Sequence, residues 1–363
     1  MSVNDVSFGI CAGPVDAPGT DDANLYRLAF EDVALAERLG YTTVWALEHH
    51  CSDYYPTPSP MMFLAKVAGL SPRMELGTMV IIAPWYHPLR LAGDIAMLSH
   101  LSAADLHLGL GRGSSASEYE AFNLDLDDSR EVFREVVEIL NLALAGGRFS
   151  YRGKFYSIEN PVELRPHPRR AAINLYGAIS TPPSAEIMAG LGLRPLSNAF
   201  RPLEMHREVL DNWARAMVAG GRDPAGVKPI QAHLIVADTD EAAFALSRQQ
   251  MPQFFQAQVK HYQADLARYK ELKTYDFERI HKIRITHSDP NNLEHFNSLQ
   301  FFGTPKTIRR QVERYLELGF DKFIVTTNTP GIPQRLRHEW LTRFAREVAP
   351  EFSSSFRTRA AAE

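Results

Sequence analysis

Apolar positions along this chain fall into two alternating rhythms. Short runs rich in β-branched and aromatic residues begin near residues 6, 43, 75, 105, 173, 194, 229 and 322. Each is followed by sequence with helical spacing, as in Leu25, Leu28, Ala29, Val33, Ala36 and Leu39 ahead of Gly40. The spacing predicts helices over 25–39, 61–70, 88–101, 129–145, 182–191, 203–219, 304–318 and 332–348. Nearly continuous apolar strands joined by helical crossovers imply parallel pairing with right-handed connections. Eight such units in one block predict an α/β chain folded as a (β/α)8 TIM barrel, one domain over residues 1–352.

Two stretches break the rhythm. Phe149, Tyr151, Phe155 and Tyr156 around Arg152-Gly153 predict an inserted β-hairpin over 148–159. Residues 240–300 are polar, helical over 241–270 and loop-like around Asp289-Pro290-Asn291, which reads as a lid-like insertion at one face. The last residues, 353–363, read as a flexible C-terminal tail.

Composition narrows the function classes. The chain has 363 residues, 45% hydrophobic and 23% charged, with a net charge of −4. A pI near 6.4 gives no basic surface for nucleic acid or an anionic membrane. Cys11 and Cys51 are the only cysteines, too few for a disulfide framework, and read as reduced thiols in a cytoplasmic protein. The N-terminus lacks a basic start and apolar core, and no apolar run approaches the roughly 18 residues of a membrane span.

Candidate chemistry sits where strands end, which is where barrels place it. The run Thr43-Val44-Trp45-Ala46-Leu47 stops abruptly at Glu48-His49-His50. A histidine there can move a proton near neutral pH. Adjacent residues rarely aim at one ion, and the sequence puts no further ligand cluster beside them, so no metal is expected. Gly109-Leu110-Gly111-Arg112-Gly113 follows another strand; glycines let backbone approach a ligand, and Arg112 offers a fork of donors for phosphate. The trailing glycine of a dinucleotide fingerprint is missing. Ser180-Thr181-Pro182-Pro183-Ser184 opens a helix whose hydroxyls and free N–H groups suit an anion as well as an ordinary cap. Arg130, at a further helix start, adds a second cation.

The ordered set of these pieces resembles the bacterial luciferase-like flavin monooxygenases. The likeness runs through Trp45-Ala46-Leu47-Glu48-His49-His50, Gly77 to Pro84 with His87-Pro88-Leu89-Arg90, Leu108 to Gly113, Asp128-Ser129-Arg130 and Phe302-Gly303-Thr304-Pro305. It covers nearly the whole chain outside 240–300. The resemblance implies a homodimeric oxidoreductase, a two-component flavoprotein. Such an enzyme takes FMN as FMNH2 from a separate flavin reductase and forms a C4a-hydroperoxyflavin with O2 to oxidise a small organic substrate. It also implies that His49 is the catalytic base or acid, with Glu48 and His50 as supports. Arg112 and Arg130 would hold the FMN phosphate with hydroxyls of Thr181 and Ser184. Met79 and Val80 would lie against the isoalloxazine ring.

Two positions depart from light-emitting members, which carry cysteine at Gly111 and glutamate around Ser180. The glycine is expected to leave room beside the reactive flavin carbon, and light emission is not inferred. Two alternatives remain at this point: a deazaflavin-dependent dehydrogenase or reductase on the same barrel, and an inert flavin-binding partner subunit. The aromatics Tyr54, Tyr55, Trp85, Tyr86, Phe200, Phe254 and Phe255 are expected around an apolar substrate pocket.

Overall fold

A computed structural model describes residues 6–15, 19–262 and 277–360. The strands β1 (Ser7–Cys11), β2 (Thr43–Ala46), β3 (Glu75–Ile82), β4 (Leu106–Gly111), β7 (Ile173–Ala178), β8 (Arg194–Asn198), β9 (Pro229–Val236) and β11 (Lys322–Thr326) are those read from the sequence. They pair in parallel in that order, and β11 returns to β1 while β8 meets β9, closing an eight-stranded barrel. The protein is a (β/α)8 barrel. β2, β4, β9 and β11 are buried at every position, as expected of strands covered on both faces.

The surrounding helices α1 (Asp22–Leu39), α2 (Pro60–Leu70), α3 (Pro88–Leu101), α4 (Ala116–Ala121), α5 (Ser129–Ala145), α6 (Pro182–Gly190), α7 (Leu203–Ala219) and α8 (Asp240–His261) start and stop on local signals. Asp21 caps α1 by accepting the Asn24 N–H at 2.9 Å, and Gly40 ends it at φ 103°. The helices over Pro305–Glu317 and Gln334–Glu347 complete the ring.

Two cores result. The larger lies between barrel and helices and includes Phe8, Val44, Leu76, Leu106 and Leu108. The smaller fills the barrel interior with Cys11, Trp45, Tyr176, Leu196 and Ile324. Gly77 is required here, because a Cβ would overlap the Trp45 indole. Near the strand starts, Lys322 Nζ donates to Glu75 at 2.6 Å and to Thr43 at 3.0 Å. Burial works against this charge on Glu75, but His107 and Lys322 hold its carboxyl well below the usual range. This polar cluster lies among the strand starts, and the opposite end, where strands finish, is the one where barrels place chemistry.

The expected hairpin is present as β5 (Arg148–Arg152) and β6 (Ser157–Glu163), longer than 148–159. Buried Glu135 holds its turn by accepting the N–H groups of Lys154, Phe155 and Tyr156. Among the described residues, the 240–300 region holds α8 and helices over Phe277–His287 and Glu294–Leu299, and the short β10 (Phe301–Gly303) follows it and pairs with the end of β9. The helix read over 241–270 ends at His261 in the described part; 263–276 lie outside the described residues.

The tail needs correction. A helix covers Ser354–Ala360, and Phe356 is buried against Phe8 and Tyr41 at ring separations of 5.9 and 5.3 Å. One aromatic anchor outweighs the polar residues around it; residues 361–363 lie outside the described part. No helix among the described residues is long and apolar enough to cross a membrane.

Candidate active site

Four strand ends converge on one cavity of about 560 Å³. Glu48 and His49 reach it from just past β2, Met79 and Val80 from within β3, Gly111 and Arg112 from the end of β4, and Ser180, Thr181 and Ser184 from the turn after β7. Arg130 joins them from the first turn of α5. Every expected site residue except His50 therefore lines the same space.

The cation end is built by local structure. Arg112 Nη1 lies 3.4 Å from the Ser129 hydroxyl, and Tyr119 donates its hydroxyl proton to the Arg112 carbonyl, which fixes the loop. Across the cavity, Thr181 and Ser184 form a capping box: the Ser184 hydroxyl accepts from the N–H groups of Ser180 and Thr181 at 3.2 and 3.1 Å. Two guanidinium groups facing a capped helix start form a donor set suited to a dianion such as the phosphate of FMN. The buried Trp85 indole N–H, also on the cavity wall, has no hydrogen-bond partner. These residues fit a flavin mononucleotide.

Met79 and Val80 are joined by a cis peptide bond where the β3–β4 register shifts between Thr78 and Ile81. Their side chains pack beside the inner core and face the cavity. The space expected beside Gly111 is not open. A Cβ at Gly111 would overlap Cγ2 of Val80, so the valine occupies the volume that the glycine gives up.

The triple Glu48-His49-His50 separates into two groups. Glu48, 2% exposed, accepts from the Ile82 N–H at 2.8 Å and the Tyr86 hydroxyl at 2.8 Å, and its Oε1 lies 3.0 Å from His50 Nε2. Burial raises its carboxyl against these hydrogen bonds. The His50 ring sits edge-on to Trp85 and Phe122. It pairs with Glu48, so these two expected supports of His49 are joined to each other.

His49 instead meets residues from far along the chain. Its Nδ1 is 3.8 Å from Glu118 Oε1, and His261 Nε2 is 3.7 Å from Glu118 Oε2. All three side chains are buried. Burial lowers the proton affinity of His49, opposed by Glu118 and reinforced by His261. The ground on which a metal was set aside, that no further ligands accompany the histidines, does not hold. Ligand atoms of His49, Glu118 and His261 lie within 4.8 Å of one another, a set that could hold an ion. Sequence reasoning missed Glu118 and His261. The only signal was a helix start after Gly113 and a lone histidine in a polar stretch.

Smaller cavities of about 300 and 240 Å³ share walls with the first. Tyr54, Tyr55, Phe200, Phe254 and Phe255 line them, and Trp85 lines the main cavity, as expected of an apolar pocket. Tyr86 differs, since its hydroxyl is committed to Glu48.

The chain is 38% identical over 165 residues to an uncharacterised protein of Sinorhizobium fredii, covering 45% of this chain and 48% of that one. It thus spans about half the length of such curated relatives. Limonene 1,2-monooxygenase of Rhodococcus erythropolis is 24% identical over 361 residues, 98% of this chain and 88% of that protein. In structure, the oxygenating constituent of 3,6-diketocamphane monooxygenase of Pseudomonas putida, complexed with FMN, superposes with TM-score 0.74 at 19% identity, covering 96% of this chain and 98% of that chain. The model of the luciferase-like monooxygenases matches residues 6–322, a span that holds the first seven barrel strands, the cation end and His49 together, and the chain belongs to that family.

Proposed function

We propose that this chain is the oxygenase component of a two-component, FMN-dependent monooxygenase acting on a small organic substrate. The observation that carries this reading is the convergence of Arg112, Arg130, Thr181, Ser184, Met79, Val80 and His49 on one cavity. Reduced FMN, when bound, supplies the electrons with which O2 puts one oxygen atom into the substrate and releases the other as water.

The chain's own residues bind, orient and exclude water. Arg112 and Arg130 hold the phosphate with fixed charge, and the start of α6 adds oriented N–H and hydroxyl groups. Met79 and Val80 give the ring an apolar wall. His49, on the wall between the main cavity and the 240 Å³ chamber, holds or moves a proton where cofactor and substrate would meet. Glu48 and His50 act at one remove by anchoring the backbone at Ile82. Tyr262, Ile280 and Ile283, from the 240–300 region, line the cavity and support its reading as a lid.

Met62, Leu70, Met97 and Leu101 on the neighbouring helices α2 and α3 are each at least half exposed, which supports a homodimer. Two unpaired cysteines suit a cytoplasmic setting, where a flavin reductase would supply FMNH2. The test is a titration of the purified chain with FMN, riboflavin and a deazaflavin, followed by flavin fluorescence. Binding of FMN in preference to riboflavin supports the phosphate site; binding of the deazaflavin alone would replace the reading with that of a deazaflavin-dependent dehydrogenase.

A further inference from the structure

Three buried side chains from distant elements meet beside the cavity, with the first two on its wall: His49 after β2, Glu118 in α4 and His261 at the end of α8. His49 Nδ1 and His261 Nε2 are both sealed from solvent without a hydrogen-bond partner, and each faces a different oxygen of the Glu118 carboxylate, at 3.8 and 3.7 Å. The two rings lie edge to face, with centroids 4.6 Å apart. Glu118 is itself aimed, because its Oε1 accepts the backbone N–H of His50 at 2.6 Å.

We propose that Glu118 and His261 are positioning residues for His49: the shared carboxylate fixes the imidazole tautomer, and the second imidazole limits how strongly His49 holds a proton. That His49 carries a proton in turnover rests on the function proposed above; the cluster itself does not.

Charge decides the tautomer. A ring nitrogen that turned its lone pair toward an anion in a dry site would be repelled, so each nitrogen facing Glu118 carries hydrogen. For His49 this places the hydrogen on Nδ1 and leaves Nε2 as the basic atom of a ring on the cavity wall. Burial would raise the Glu118 carboxyl, but the facing His261 and His49 rings and the backbone N–H of His50 bring it down to about 2, so it is ionised near neutral pH. One carboxylate divided between two imidazoles supports each less than it would support one alone. The remaining groups facing His49 are His50 from its own loop, Tyr54 and Tyr55 from the following loop, and Tyr262 beside His261. Of these only His50 is a further imidazole, and it is engaged by Glu48. His261 also closes α8, the first helix of the 240–300 region, so the proton affinity of His49 is tied to the seating of that helix.

The test uses the full chain without flavin, labelled in its histidine ring nitrogens and followed by NMR across pH. Among 13 histidines, His49 is identified by the signals lost in His49→Asn. The wild type should show hydrogen on Nδ1. Glu118→Gln should lower the His49 midpoint by about one pH unit or more, the usual effect of losing an opposite charge at this range. His261→Asn should raise it, and Glu118→Asp should restore part of the wild-type value. Unchanged tautomer and midpoint in the folded variants would overturn the proposal. So would stoichiometric divalent metal in the wild type that is lost in Glu118→Gln, because the three groups would then be ligands. No flavin is present, so failure here is separate from failure of FMN binding.

Discussion

Glu48 accepts the backbone N–H of Ile82 at 2.8 Å, tying the end of β2 to the end of β3 where both enter the cavity. The same carboxylate takes the Tyr86 hydroxyl and His50 Nε2. Glu48→Ala would leave the Ile82 N–H buried and unpaired and should cost about 1–3 kcal/mol from that group alone. Thermal denaturation of Glu48→Ala and Glu48→Gln checks this. Gln keeps an acceptor, so its loss should be the smaller one; equal stability of all three proteins would contradict a structural role.

The phosphate end is tested by charge removal. Arg112→Gln and Arg130→Gln should each weaken FMN binding about ten- to hundredfold, the scale of a lost charge-assisted hydrogen bond. Riboflavin, which has no phosphate, should bind wild type and variants alike. An equal loss for both flavins would mean that the arginines shape the loop and do not meet phosphate.

Gly111 and Val80 share one volume. Gly111→Ala should therefore destabilise the protein by about 1–3 kcal/mol, the usual cost of overpacking. The double variant Gly111→Ala/Val80→Ala should recover part of that loss, and strict additivity in a double-mutant cycle would argue against the contact.

The barrel was legible because buried parallel strands are continuous apolar runs that end on glycine, proline or polar residues, as at Ala83-Pro84 and Gly111. The cation end was legible for a similar reason: Arg112, Arg130 and Ser180 to Ser184 each follow a strand or open a helix, so topology alone gathers them. The cluster around His49 was not. Glu118 and His261 are more than 60 residues from it, and only the seating of α4 and α8 brings them together. The anchored tail escaped for the same reason, since Phe356 meets Phe8 and Tyr41 only after the barrel has closed.

Stability should fall as the medium is acidified from neutral pH. Burial pushes His233 down to about 3, and burial with Arg201 nearby pushes His206 down to about 4. Both stay neutral in the fold while the unfolded chain takes up protons near pH 6.5. Between that pH and the lowered values the unfolded state binds more protons, so stability rises with pH in this window. Melting temperatures at pH 7 and 5 should differ less in His206→Phe than in wild type. An unchanged difference would show that His206 does not carry the effect.

Exposed Met97 and Leu101 on α3 give a direct test of assembly. Sedimentation should report twice the chain mass of 40.8 kDa for wild type and a shift toward the monomer for Met97→Glu/Leu101→Glu. A monomeric wild type would remove the homodimer.

The function proposed for this chain is an FMN-dependent oxygenation with His49 at the reacting end of the cavity. Its most direct measurement supplies reduced FMN from an unrelated reductase, isotopically heavy O2 and a panel of small organic substrates, with wild type and His49→Ala in parallel. The expected result is one heavy oxygen atom in the product of the wild type, and in His49→Ala unchanged FMN affinity with turnover lower by about a hundredfold or more. Substrate oxidation or reduction that needs a deazaflavin and leaves no heavy oxygen in the product would contradict it, as would full turnover without His49.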